Sequence, residues 1–312
     1  MSTHAKHTID SDVRPGFTAT YLRTAGNECA FVEAHTSLAL PKMLAALDAA
    51  GRKPEDVRWI VVTHAHLDHA AGASALVRAC PNATLLAHPR AARNLVDPSK
   101  LVASATSVYG AERFASLYGS VDPIPADRVR PLDDGATFEL GDATLRVHHT
   151  AGHANHHFVV HDPALGTVYT GDTFGLVYPA LQKRGRFAFP STSPTNFDAA
   201  EARKSIDRVM SLGTRTACPT HFGEVDGLDE IARQMRAWID RADAWVNDAA
   251  ARGESNEATT ARLASAWREA LRADASARGL GFGVEEEELL ALDIELNAQG
   301  LAFAALSRKA RG

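Results

Sequence analysis

The chain of 312 residues is 45% hydrophobic and 23% charged, with a formal net charge of −5, enough apolar sequence to bury a core in one large domain or two smaller ones. Disorder and collagen-like repeats are excluded, and so is a basic field that would bind nucleic acid by counterion release. Three cysteines, Cys29, Cys80 and Cys218, are too widely spaced and odd in number for a disulfide framework.

The opening MSTHAKHTIDSDVRPGF has no apolar run of signal-peptide type, and no apolar stretch of about 18 residues follows it. The expectation is a cytoplasmic protein with a small-molecule substrate and neither a membrane nor a nucleic-acid partner. His4 and His7 are expected to lie in an unstructured terminus.

From Phe17 to about Phe222, short strand-like runs alternate with helical stretches, the mark of a layered α/β domain. The runs are FTATYL (17–22), ECAFVEA (28–34), RWIVVT (58–63), ATLLAH (83–88), ATFEL (136–140), TLRVHH (144–149), HHFVVH (156–161), GTVYTG (166–171) and RTACPT (215–220). Nine strands imply two sheets or one large one. LPKMLAALDAAG spaces Leu40, Met43, Leu44 and Leu47 along one helical face and stops at Gly51, as a helix covering a sheet should. Residues 89–120 carry Tyr109, Phe114, Leu117 and Tyr118, and read either as packing helices or as a cap whose aromatics face a cleft.

After Asp226 the strands stop. LDEIARQMRAWIDRADAWV sets Leu228, Ile231, Met235, Trp238, Ala242 and Trp245 at helical spacing. GVEEEELLALDIELNAQGL places four glutamates in a first turn, where the helix dipole favours them, ahead of Leu289, Leu292 and Leu296. The reading is a catalytic domain over 1–226 and a C-terminal helical extension over 227–312. Its apolar faces pack either on the first domain or on a partner chain, so a homodimer is an open reading.

Of the 14 histidines, 12 lie between His35 and His221. RWIVVT runs directly into His64-Ala65-His66-Leu67-Asp68-His69. In extended backbone, alternate side chains point the same way, so His64 and His66 can converge on one ion while Asp68 and His69 sit at the turn into a helix. Four ligand-type residues within six positions are hard to explain as packing, because buried imidazoles and carboxylates cost free energy unless partnered. Further candidates follow other strands: His153 after Gly152, Asp172 after Gly171, and His221 in Thr-His-Phe-Gly. Loops on a rigid sheet edge are a usual place for sites.

This order, H-x-H-x-D-H, then a glycine-preceded His, a Gly-Asp pair and a late His, resembles the metallo-β-lactamase superfamily over roughly residues 17–226. The resemblance implies a four-layer αββα sandwich, here with an all-helical C-terminal extension, and a dinuclear metal site at one edge. By position, His64, His66 and His153 would hold one ion, Asp68, His69 and His221 the second, and Asp172 would bridge them. Imidazoles and carboxylates without thiolates suit two divalent ions, zinc first, with iron or manganese as alternatives. Glu33 stands where many members end an apolar run in Asp-x-Gly, and so takes the place of a carboxylate that orients the metal loop. His157 is favoured over His156 as a histidine supporting the ligands. Cys218 reads as a small strand hydrophobe rather than a ligand.

Paired cations can lower the pKa of a bridging water toward neutrality. The expected activity is therefore metal-dependent hydrolysis, in which a metal-bridging hydroxide cleaves an ester, lactone or thioester and Asp68 assists proton transfer. The alternative is a mononuclear-iron oxidoreductase resembling persulfide dioxygenases. Glyoxalase II, RNase Z, β-CASP and flavodiiron relatives differ at the last histidine, in inserted domains, in charge, or at the position of His66. Residues 174–197, with Phe174, Tyr178, Phe187, Phe189 and a basic Lys183, Arg184 and Arg186, read as a pocket lining or as a surface crossover. Tyr178 is the substrate-contact candidate.

Overall fold

The computed structural model describes residues 4–12, 14–192 and 195–309. By contacts the chain forms two compact units. One comprises Met1–His149, His156–Gly171 and Leu212–Asp226; the other adds Thr150–Asn155 and Asp172–Ser211 to Gly227–Gly312.

The first unit carries two sheets. One has the order β1 (Ala5–Asp10), β2 (Ala19–Ala25), β3 (Glu28–Val32), β4 (Val57–Val61), β5 (Thr84–Ala87), β6 (Val129–Pro131). Its first three strands pair antiparallel, while β3 to β6 run parallel. The second has the order β11 (Thr216–Pro219), β10 (Thr167–Gly171), β9 (Phe158–Asp162), β8 (Ala143–His149), β7 (Thr137–Leu140), with only β10 and β11 parallel. Side chains of period two from both sheets interleave between them: Tyr21, Val32 and Trp59 from one, Phe138, Leu145, Val147, Phe158 and Tyr169 from the other.

The other face of the first sheet buries Phe31, Ile60 and Leu85 against α1 (Leu40–Ala49), α3 (Ala73–Ala79) and α4 (Pro89–Val96). Met43 and Leu47 of α1 are the buried members of the face expected from its spacing. A salt bridge joins the sheets, Arg23 Nε donating to Asp162 Oδ2 at 2.5 Å with both side chains fully buried. Such a pair contributes little net stability but penalises loss of either partner.

The expectation of an unstructured N-terminus is corrected, because residues 5–10 form β1 and pair with β2 along their whole length. AKHTID has no apolar run to reveal it; an edge strand is held by backbone hydrogen bonds, and Ile9 is the buried residue of this one. The short β6 also lay outside the expected strands. Residues 89–120 become α4, α5 (Ser99–Tyr109) and α6 (Ala111–Tyr118), with Phe114 buried and its ring 5.3 Å from that of Tyr118.

The second unit is built on α7 (Ala199–Ser211), α8 (Leu228–Arg252), α9 (Asn256–Ala277) and α10 (Val284–Lys309). Trp238 of α8 stacks on Trp267 of α9, ring centroids 4.8 Å apart and 6° from parallel. Ser255 caps α9, its hydroxyl accepting from Ala258 N at 3.2 Å. The segment after Asp172 belongs to this core: Phe174, Tyr178, Phe187 and Phe189 are fully buried, while Lys183 and Arg184 are exposed. Its residues 193 and 194 lie outside the described residues.

Candidate metal centre

Strand β4 delivers the H-x-H-x-D-H run at the end of the first sheet. His64 is buried beside Thr63, and its Nε2 lies 2.8 Å from His66 Nδ1. This is the convergence expected of alternate residues in extended chain. His66 then starts α2 (Leu67–Ala70), which carries Asp68 and His69. After β11, Thr220 leads into His221, whose Nε2 is 3.3 Å from Asp68 Oδ2. His69 Nε2 lies 3.5 Å from the same oxygen. One donor atom each from Asp68, His69 and His221 therefore falls within a 4.8 Å cluster.

In the second unit, His153 and Asp172 meet, Nε2 to Oδ2 3.4 Å apart, with both side chains buried. Gly152 has φ +121° and passes so close to α7 that a Cβ there would lie 2.8 Å from the Ala202 Cβ. Only glycine fits both demands. Asp198 N donates to the Gly152 carbonyl at 2.9 Å, fixing the turn that presents His153.

The opposite edges of these imidazoles are held by oxygen. His69 Nδ1 donates to Glu33 Oε1 at 3.1 Å, His221 Nδ1 to the Phe17 carbonyl at 3.1 Å, and His153 Nδ1 to the Ser191 carbonyl at 3.0 Å. His64 Nδ1 sits 3.1 Å from Thr63 Oγ1. With Nδ1 carrying the proton, Nε2 of His69, His221 and His153 presents a lone pair, the tautomer that a metal ligand requires. The donor set thus fits divalent cations both in its chemistry and in how its rings are fixed.

Glu33 is the hub of this support. It is buried and accepts from Thr63 N at 3.2 Å, Thr63 Oγ1 at 2.5 Å and Thr220 Oγ1 at 3.1 Å, besides His69. One carboxylate thus ties together the loops after β3, β4 and β11. Glu33 and His35 both have positive φ, 71° and 48°, conformations that cost a side-chain-bearing residue roughly 1–2 kcal/mol each. Where the Asp-x-Gly pattern has its glycine, this chain has His35, which donates from Nδ1 to the Asp68 carbonyl at 2.9 Å. Burial lowers the pKa of His35 below its ordinary value, opposed by this hydrogen bond and by the charges of Asp12 and Asp68. Gly72 locks the same turn by donating to the His35 carbonyl at 2.8 Å, and a Cβ on Gly72 would sit 2.6 Å from the Thr36 oxygen.

His157 is buried with its ring 4.8 Å from that of His64, and His156 Nδ1 accepts from Ala65 N at 3.4 Å, so both flank the first ligand loop. Cys218 is buried within β11, where burial pushes its thiol up to about 12, which keeps it protonated. Burial, then the charge of Asp68 and the neighbouring Tyr109, raises the Tyr118 hydroxyl. Tyr178 lies in the interior of the second unit, its hydroxyl donating to Asp293 Oδ1 at 3.2 Å. The role of His35 was absent from the sequence reading, since V-E-A-H carries no mark of its two left-handed residues.

The model of the metallo-beta-lactamase superfamily matches residues 13–221. The chain belongs to this superfamily. It is 28% identical over 184 residues to the metallo-beta-lactamase fold-containing protein ST1585 of Sulfurisphaera tokodaii, a match covering 57% of this chain and 66% of that protein. The crystal structure of ST1585 from Sulfolobus tokodaii superposes with a TM-score of 0.66 at 21% identity, covering 95% of this chain and 98% of that one. TTHA1429 from Thermus thermophilus, a metallo-beta-lactamase family protein, gives 0.63 at 20% identity over 98% and 93%. The Rm3 metallo-beta-lactamase gives 0.53 at 20% identity over 76% and 90%. At these identities the likeness establishes the fold, a metallo-β-lactamase fold with a C-terminal helical region. Most members of the superfamily are hydrolytic metalloenzymes, and the fold implies divalent-metal binding.

Proposed function

We propose that this protein is a dinuclear metal-dependent hydrolase of esters, lactones or thioesters, with a lactone or ester favoured. The observation that carries the reading is the set of imidazoles held by oxygen at Nδ1, with Nε2 of His69 and His221 converging on Asp68 and Nε2 of His153 on Asp172. Following the superfamily order, His64, His66 and His153 would hold one ion, Asp68, His69 and His221 the other, and Asp172 would serve both. Such a pair of divalent cations, zinc in the first instance, supplies Lewis acidity and a hydroxide nucleophile at neutral pH.

The chain's own residues do the rest. Glu33, Phe17 and Ser191 fix ring tautomers, so the ligand geometry needs no reorganisation during turnover. Asp68 has a side chain 43% exposed, whereas those of His69 and His221 are buried. That exposure supports a role for its carboxylate in passing a proton to the departing oxygen or sulfur and exchanging it with solvent. Burial of His64, His69, His153 and Asp172 keeps water from competing for those ligand atoms.

The test is a panel of p-nitrophenyl esters, lactones of graded ring size and acyl thioesters, run with and without oxygen. Oxygen-independent hydrolysis that is lost in Asp68→Ala, together with lowered metal occupancy, supports the proposal. Asp68→Ala with full occupancy and full activity removes the role of that residue. Oxygen consumption with a persulfide substrate and a single bound iron overturns the hydrolytic reading.

A further inference from the structure

We propose that the outward face of α10 is a self-association surface on which a second copy of this chain docks antiparallel, about a two-fold axis through Gln299. One side of α10 is buried against α8 and α9 in its own unit, through residues such as Leu290, Ile294 and Leu301. The opposite side leaves Leu292, Phe303 and Leu306 exposed at 47%, 43% and 45%. Their spacing puts them on one stripe, with half-buried Leu296 and exposed Gln299 between them. Among the described residues, four of the six exposed large hydrophobic side chains belong to this helix, Val284 being the fourth. Scattered exposed apolar residues are ordinary, but a continuous stripe on one helix is not. The sequence leaves the apolar face through Leu292 and Leu296 to either the first domain or a partner chain; the fold leaves Leu292 exposed and Leu296 half-buried.

Charge commits the stripe to one occupant in one orientation. It begins at exposed Glu285 and Glu288 and ends at exposed Lys309, in a basic stretch that continues in the sequence to Arg311. A parallel copy would oppose like charges at both ends. An antiparallel copy sets the acidic end of each helix against the basic end of the other, and the axis through Gln299 pairs Leu292 with Leu306 and brings Leu296 within one position of Phe303. Such a self-complementary patch is what a two-fold interface requires, and the Gln299 amide can both donate to and accept from its symmetry mate. By length and composition α10 is also apolar enough to cross a membrane, yet half of its most apolar window is buried within the protein. A helix whose other side is buried in its own unit suits a protein partner better than a lipid interior, which would surround it on every side.

Single-cysteine variants of the full chain decide the geometry. The three native cysteines are buried and do not compete. Leu292→Cys mixed with Leu306→Cys is expected to form a disulfide-linked dimer, while each variant alone does not. Sedimentation velocity is expected to show a dimer whose dissociation constant rises roughly tenfold or more in Leu306→Glu, about 1.4 kcal/mol per tenfold, and stays near wild type in Leu306→Met. Cross-linking of Leu292→Cys with itself indicates parallel packing and overturns the proposal. So does a chain that is monomeric at every concentration, including one that instead floats with phosphatidylcholine–phosphatidylglycerol vesicles. If Leu306→Glu fails to fold, the mixed-cysteine experiment alone decides.

Discussion

Replacing Glu33 tests whether the ligand loops are held by one buried carboxylate. Glu33→Ala removes the acceptor for Thr63 N, Thr63 Oγ1, Thr220 Oγ1 and His69 Nδ1 in a fully buried place. A buried donor left without an acceptor costs about 1–3 kcal/mol. The two hydroxyls can re-aim, so the Thr63 amide and the His69 ring dominate, for a loss of about 2–6 kcal/mol. Glu33→Gln keeps the shape but fails in a diagnostic way. If its NH2 occupies the Oε2 position it meets the Thr63 N–H; at the Oε1 position it meets the His69 Nδ1–H. The second conflict is relieved only by moving the His69 proton to Nε2, where it blocks the ligand lone pair. Urea denaturation of the metal-free chain should show destabilisation of about 1–3 kcal/mol for Glu33→Gln, and competition with a chromophoric chelator should show metal affinity down roughly 10- to 100-fold. Wild-type midpoints and wild-type affinity in both variants would refute the reasoning.

Three further outcomes are expected. Burial, with neighbouring His149 and His156 adding to it, lowers His88 from 6.5 to about 4. The unfolded chain then binds the proton first, so stability present above pH 6.5 is lost as pH falls toward 4, with a ceiling of about 3 kcal/mol; His88→Asn, which can keep the cap on Arg90 N, should flatten that limb in pH-dependent melting. Asn297 of α10 accepts from Thr192 N at 2.5 Å and donates to the Pro190 carbonyl at 3.2 Å, flanking the Ser191 carbonyl that holds His153. Asn297→Leu should cost about 2–4 kcal/mol in thermal unfolding, and an unchanged Tm would count against this strut. Tyr178→Phe loses the hydrogen bond to Asp293, about 1 kcal/mol, and on this placement kcat/KM is unaltered; a large rise in KM would return Tyr178 to the substrate.

What could be read from sequence followed the strength of the local signal. The strands around 58–63 and 166–171 are dense in β-branched and aromatic residues, and the structure has β4 and β10 there. β1 escaped notice because polar residues outnumber its Ala5 and Ile9 and its pairing is a backbone property that composition does not encode. The H-x-H-x-D-H run was legible because ligand-type residues at a strand end have no cheap packing explanation. The Phe17 and Ser191 carbonyls that fix His221 and His153 were not, since any residue offers a carbonyl and only the fold chooses which one faces a ring. Leu292 and Leu296 show the converse: helical periodicity identifies an apolar stripe but leaves open what lies against it, and a second stripe through Leu290, Ile294 and Leu301 takes the interior.

Metals counted per chain test the dinuclear centre most directly, by elemental analysis of protein purified without chelator or added metal and again after reconstitution. Close to two divalent ions per chain are expected, falling in His153→Ala and in His221→Ala, which remove a ligand from each proposed ion. One iron that survives reconstitution with zinc, or no metal at all, would contradict the dinuclear centre.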